Sequence, residues 1–356
     1  MRRKTLSTVC AVTLTILWIA GLVVVFYFAQ NNGAQAICWC FVGIAFSFAF
    51  APFFHELGHI VFAIKTKMQV VYAKFFCVKF VEKNGKLKMR FASPLRADET
   101  QAVPKTGGAM QKRAKLYTIG GLVFGGAFAL LVFVLALTLT SLNVIAFLFW
   151  GMLPYAVYLF LLNVLPLEYA SGKTDALIYG GLKRGDDAEK NMLTAMEIQG
   201  LLYEGKSFSE IDESLYFDAP QLAEDEPLFA VILDLRYRYY LEKEEIEKAG
   251  DCLNRLINAQ AYLTEEELQK LAGECVYVYS LLGDFQRAEE SGKLAKPYLA
   301  GESAAAKRIL ATYSAVFGEK DSAEILMRQA EQALQNERIE GVKRFERILL
   351  SRISLE

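Results

Sequence analysis

His55 and His59 are the only histidines in the 356 residues, and they stand four apart in HELGH with Glu56 between them. Positions four apart share a helix face, so both imidazoles can reach one metal ion while Glu56 projects beside them toward water. This is the spacing that zinc-dependent hydrolysis uses. Glu56 is also the only Asp, Glu, Lys or Arg between Thr5 and Ile64. A charged side chain at the centre of a membrane helix costs roughly 2.5–3.5 kcal/mol on insertion scales, and ionisable groups placed there usually mark a site or a pathway. The setting raises the pair from a common coincidence of soluble helices to a candidate metal centre.

A hydrolytic zinc commonly takes three protein ligands and leaves the fourth position to water. No histidine remains, and a cysteine thiolate is less usual beside such a pair, so a carboxylate is expected near the end of another crossing helix. From Leu116 through Leu167 there is no Asp, Glu, Lys or Arg, and NVLPLEYASGKTDAL follows. Glu168 and Asp175 are the candidates.

The elements that must position these residues are apolar stretches near 9–29, 37–64, 116–140 and 144–166, each long enough for the ~20 residues that cross a bilayer. The first follows MRRK, but its apolar run exceeds the ~7–15 residues of a signal-peptide core, so it is read as a retained helix. Residues 65–115 hold 13 Lys/Arg against three acids, while QNNGAQA and SLN carry no charge. The positive-inside rule then places the middle loop and both termini in the cytoplasm of a multi-pass protein, consistent with a bacterial plasma membrane. At about 1.5 Å per residue, His55 lies about 15 Å from the inner face, in the cytoplasmic half of the bilayer.

Charge divides the chain in two. Residues 1–182 carry 17 Lys/Arg and 6 Asp/Glu, net +11, and 183–356 carry 22 and 34, net −12, which sums to −1. Within the first half, VVYAKFFCVKFVEKNGKLKMRF alternates apolar and basic residues around Asn84-Gly85, a type I′ turn signal, and predicts a β-hairpin near 70–92. The glycines at 120, 121, 125 and 126 give small residues at four-residue spacing and favour close helix packing. Pro52 is expected to loosen the helix ahead of His55, and Gly107-Gly108 to make a flexible joint before the third helix. The six cysteines show no metal-knuckle spacing and imply no disulfide framework.

In the second half LLGDFQRAEESGKLA is followed 35 residues later by VFGEKDSAEILMRQA, aligning Gly283 with Gly318 and Ala288 with Ala323; a poorer copy ends near Ala249. This period of helical hairpins resembles tetratricopeptide repeats, and such a solenoid is expected to offer a groove to a protein partner. Nothing points to nucleic acid. The expected fold class is mainly α: a polytopic membrane bundle with about four crossing helices and a small cytoplasmic β-hairpin over 1–182, followed by a soluble α-helical repeat domain over 183–356.

HELGH at 55–59, Asn163-Val-Leu-Pro166 followed by Asp175, and the glycine-rich third helix together resemble the site-2 protease family of intramembrane zinc metalloproteases, over about residues 40–182. The resemblance implies that His55, His59 and Asp175 bind Zn2+, that Glu56 is the base, and that Asn163 orients the scissile peptide of a transmembrane substrate. Many members of that family place the Asp closer to Asn-x-x-Pro and follow it with Gly. Here twelve positions separate Asn163 from Asp175 and Ala176 follows, so the insert YASGKT is expected to form a longer turn returning Asp175 to the metal, with Glu168 as the fallback ligand. Two functional classes fit: an active intramembrane protease, and a catalytically inactive scaffold whose repeat domain binds a partner. The intact HELGH favours the enzyme, since a relic would lose Glu56 or a ligand first.

Overall fold

A computed structural model describes residues 2–83, 86–93, 98–139, 144–169, 172–224, 226–258 and 263–354. The chain separates into two compact units, Met1–Val103 with Ala109–Glu189, and Pro104–Gly108 with Lys190–Glu356.

The first unit holds the helices α1 (Arg2–Gln30), α2 (Ala34–Lys65), α3 (Met110–Thr138), α4 (Ala146–Val164) and α5 (Asp175–Arg184). The first four are long and apolar enough to cross a membrane. α1 leaves Ile16, Leu17, Val23 and Phe28 more than half exposed, a surface that water would penalise and hydrocarbon would not. α2, α3 and α4 pack around Ala51, Phe128, Ala129, Val132, Met152 and Ala156. Two close crossings fix α2. A Cβ at Gly58 would strike the Gly120 carbonyl of α3, and one at Gly43 the Leu148 carbonyl of α4. Pro52 lies inside α2, which runs unbroken through it. α3 begins at Met110, earlier than its apolar run suggests, because Lys112, Arg113 and Lys115 extend the helix beyond its apolar part.

The hairpin expected over 70–92 is part of a larger sheet. Strands β1 (Met68–Phe75), β2 (Val78–Lys83), β3 (Lys86–Phe91) and β4 (Glu99–Pro104) lie in the order β3-β2-β1-β4. β2 and β3 are antiparallel, with Lys83 opposite Lys86; Asn84-Gly85 lies outside the described residues, as does the SLN connection. β1 and β2 join through Phe76, whose φ of 49° is left-handed. No glycine marks that turn, so the sequence signal for it is weak.

The second unit contains α6 (Asp187–Tyr203, counted here from Lys190 on), a 3-10 turn at Phe208–Glu210, α7 (Ser214–Phe217), α8 (Pro227–Glu242), α9 (Ile246–Asn258), α10 (Glu265–Leu281), α11 (Phe285–Leu299), α12 (Ala304–Val316), α13 (Lys320–Leu334) and α14 (Glu340–Ser351). The pairs α8–α9, α10–α11 and α12–α13 are helical hairpins with one recurring turn. Gly283 (φ 72°) and Gly318 (φ 79°) take the left-handed position after the first helix, and Glu244 (φ 63°) takes it in the copy that lacks the glycine. Five residues later Ala249, Ala288 and Ala323 are fully buried, since only a methyl fits where the two helices of each hairpin meet. Cys252 and Cys275 are buried and reduced, and burial pushes their thiols up to about 11 and about 12.

Candidate metal centre

HELGH lies within α2, and His55, Glu56 and His59 are all buried. The helix brings both imidazoles to one face, where His55 Nε2 and His59 Nε2 stand 3.3 Å apart. Asp175 Oδ2 lies 3.2 Å from each of them. A tetrahedral ion with bonds of about 2.0–2.2 Å to N and O ligands requires its donors to be about 3.3–3.5 Å apart, close to the edges of this triangle.

The chemistry of the three atoms also suits a metal ion. His59 Nδ1 is 2.9 Å from the Tyr117 carbonyl oxygen, which can only accept, so Nδ1 carries a proton, and in the neutral imidazole Nε2 is the nitrogen with the lone pair. Asp175 Oδ2 is buried and accepts no hydrogen bond despite its two neighbours. Among the described residues, His55, His59 and Asp175 are the one group of three or more His, Cys, Asp or Glu side chains that could hold a metal ion. Three donor atoms this close suit a shared cation, either a proton or a metal ion.

Asp175 arrives by the insert after α4. Leu165 leaves the helix extended, and β5 (Glu168–Tyr169) pairs antiparallel with β6 (Gly172–Lys173), doubling the chain back. Thr174 locks the return: its hydroxyl donates to Leu165 O at 2.7 Å and accepts from Leu167 N at 3.0 Å. Ser7 of α1 accepts from Glu168 N at 2.9 Å. Asp175 then opens α5, where a carboxylate is favoured by the helix dipole. Glu168 stays on the hairpin, and it is Asp175 that completes the triangle.

Glu56 Oε2 is buried and has no hydrogen-bond partner among the described residues, the state in which a carboxylate can still take a proton. Asn163 is half-buried and donates its amide to Leu159 O at 3.1 Å, one turn back in α4. The structure thus gathers His55, His59 and Asp175, and records for Asn163 a bond to its own helix.

Two contributors escape the motif reading. Tyr117 acts through its backbone carbonyl, for which residue type gives no signal, and its hydroxyl donates to the Thr100 carbonyl on β4. Gly121 underlies the triangle: a Cβ there would come within 2.8 Å of both Asp175 Oδ2 and His55 Cε1, and closer still to His59 Nε2. The spacing of the glycines signals packing, and Gly120 does pack. Gly121 leaves room for the donors. Comparison with protein-family profiles, with curated proteins and with solved structures finds no match for the chain.

Proposed function

We propose that the protein is an intramembrane zinc metalloprotease of the site-2 type, hydrolysing peptide bonds of membrane-spanning substrates. The observation that carries the reading is the convergence of His55, His59 and Asp175 on one point, with Glu56 on the same turn of a helix long and apolar enough to span a membrane. His55 Nε2, His59 Nε2 and Asp175 Oδ2 would hold the zinc. When bound there, zinc polarises a scissile carbonyl and brings the pKa of water toward neutrality.

The chain's own groups carry the proton. Glu56, buried and unpaired at Oε2, takes it from the attacking water and delivers it to the leaving amine. Asn163 spends one amide hydrogen on Leu159 O, leaving the other to orient a substrate carbonyl. A helical substrate must unwind before its carbonyl is accessible, because backbone groups in hydrocarbon stay paired. The basic loop at 65–115 supports a cytoplasmic placement of the sheet and of both termini.

Zinc content and cleavage of a transmembrane reporter, measured on the purified protein, test this. Glu56→Ala is expected to keep zinc and lose cleavage, and His55→Ala and Asp175→Ala to lose both. Cleavage retained in Glu56→Ala would overturn the mechanism. Wild type holding zinc yet leaving a panel of transmembrane peptides intact would favour the scaffold.

A further inference from the structure

The five residues Pro104–Gly108 begin on the last residue of β4 and precede α3, yet they fold with the second unit. Their backbone is gripped by α6 and the residue just after it. Gly108 N donates to both carboxylate oxygens of Glu197, at 2.7 and 2.9 Å, and Gly107 N to Glu204 Oε1 at 3.2 Å. Hydrogen bonds to an ionised acceptor are roughly twice as strong as neutral ones. The fit depends on absent side chains. A Cβ on Gly200 would lie 2.5 Å from Thr106 O, and one on Gly107 would lie 2.8 Å from both Glu197 Oε1 and Leu201 Cδ2. Gly108 (φ 83°) and Ala109 (φ 55°) are consecutive left-handed residues, a turn that Ala adopts only under constraint. The Gly-Gly pair expected to be a flexible joint is a clamped one.

Both exits of this segment lead to the candidate metal centre. Upstream is β4, whose Thr100 carbonyl accepts from the Tyr117 hydroxyl; downstream is α3, which supplies the Tyr117 carbonyl to His59 and the space at Gly121. We infer that Glu197 and Glu204 are positioning residues for the metal centre, through which the state of the helical unit is transmitted to β4 and α3. A partner that shifts α6 would pull on the one segment that joins these two elements. The inference rests on the metal-centre part of the proposed function and is independent of whether the substrate is a peptide.

The test uses the full chain in lipid nanodiscs, comparing wild type with Glu197→Gln/Glu204→Gln and with Gly200→Ala. Hydrogen exchange is followed at 99–103 and 107–115, and cobalt(II) binding by its visible absorption. In both variants exchange over these residues should rise about tenfold or more. Cobalt affinity should fall about 10–100-fold with an altered spectrum, as when the partner that orients a metal ligand is lost, while α10–α13 exchange as in wild type. Lost protection at Gly107 and Gly108 with wild-type exchange at 99–103 and 109–115 and an unchanged cobalt spectrum would overturn the inference. Wild type that takes up no cobalt would overturn the metal centre itself, and exchange at 99–103 and 109–115 would still decide the link. Gly200→Ala leaves both carboxylates in place, so a Gln pair that fails to fold does not remove the test.

Discussion

Each unit buries a cluster of ionisable groups drawn from distant parts of the chain, and the two clusters differ in one respect. In the helical unit Arg308 is fully buried, with its Nη2 2.9 Å from both oxygens of Glu274 and its Nε 2.7 Å from Glu346 Oε2. Tyr237 donates to Glu274 at 2.7 Å, and the guanidinium lies 4.2 Å from the Tyr277 ring centre. Burial works against ionisation of Glu274, but Arg308 and Arg238 hold its carboxyl below the ordinary range. That cluster carries its own cation. The triangle of His55, His59 and Asp175 includes no Lys or Arg, and on the proposed reading its cation would come from outside. On the proposed reading, the cluster that holds its own cation serves the fold and the one that holds none serves a ligand.

The largest effect that would break this contrast is metal removal. A strong chelator should strip about one zinc per chain from the first unit and leave the melting of the helical unit unmoved, as read by metal analysis and calorimetry. A helical unit that melts earlier after chelation would show that the two clusters are not separable in this way.

Next in size is Glu274→Ala. Breaking a buried ion pair by removing one partner costs about 3–5 kcal/mol, so the denaturant midpoint of the helical unit should drop steeply. Replacing Arg308, Glu274 and Glu346 together by apolar residues of similar volume should recover most of the loss. The equivalent apolar replacement of His55, His59 and Asp175 should leave the fold intact and abolish metal binding.

Gly121→Ala sharpens the comparison from the side of shape. Its methyl would intrude on two donor atoms, His59 Nε2 and Asp175 Oδ2, and on the His55 ring, and metal affinity should fall about 10–100-fold, the scale of a lost supporting contact. Gly125→Ala, whose Cβ would meet His55 Nδ1 at an ordinary 3.4 Å, should bind nearly as wild type.

The smallest expected change lies away from both clusters. Glu244→Gly relieves a left-handed residue and should raise stability by about 1 kcal/mol, since its exposed ion pair with Arg352 contributes little. Gly283→Ala and Gly318→Ala should lower stability by a similar amount.

The legible parts of the molecule were those with a period or a rare residue. Four long apolar runs gave α1 to α4, and the 35-residue offset of Gly283 and Gly318 gave the helical hairpins. Paired histidines in an apolar helix whose one acid is Glu56 gave two members of the triangle, and the carboxylates after α4 narrowed the third to two. Between Glu168 and Asp175 the choice depended on a hairpin locked by Thr174, a backbone arrangement that residue types barely encode. The stretch 70–92 was read as one hairpin where it holds three strands, because Phe76 turns without a glycine, and β4 was missed because it pairs across more than twenty intervening residues. The clamp on Gly107 and Gly108 was read as its opposite, since two glycines signal freedom unless their distant carboxylates are known.

The third donor stands 116 residues beyond His59, and that separation sets a timetable. Chains emerge N-terminus first at about 5–20 residues per second, so HELGH is made well before α4 and the hairpin that follows it. Until Thr174 closes the return, a nascent chain offers two imidazoles and no complete set of donors. On the proposed reading, capture of a metal would be deferred to the last step of building this unit, and the hairpin would serve as a latch whose closing follows the making of the final membrane-length helix.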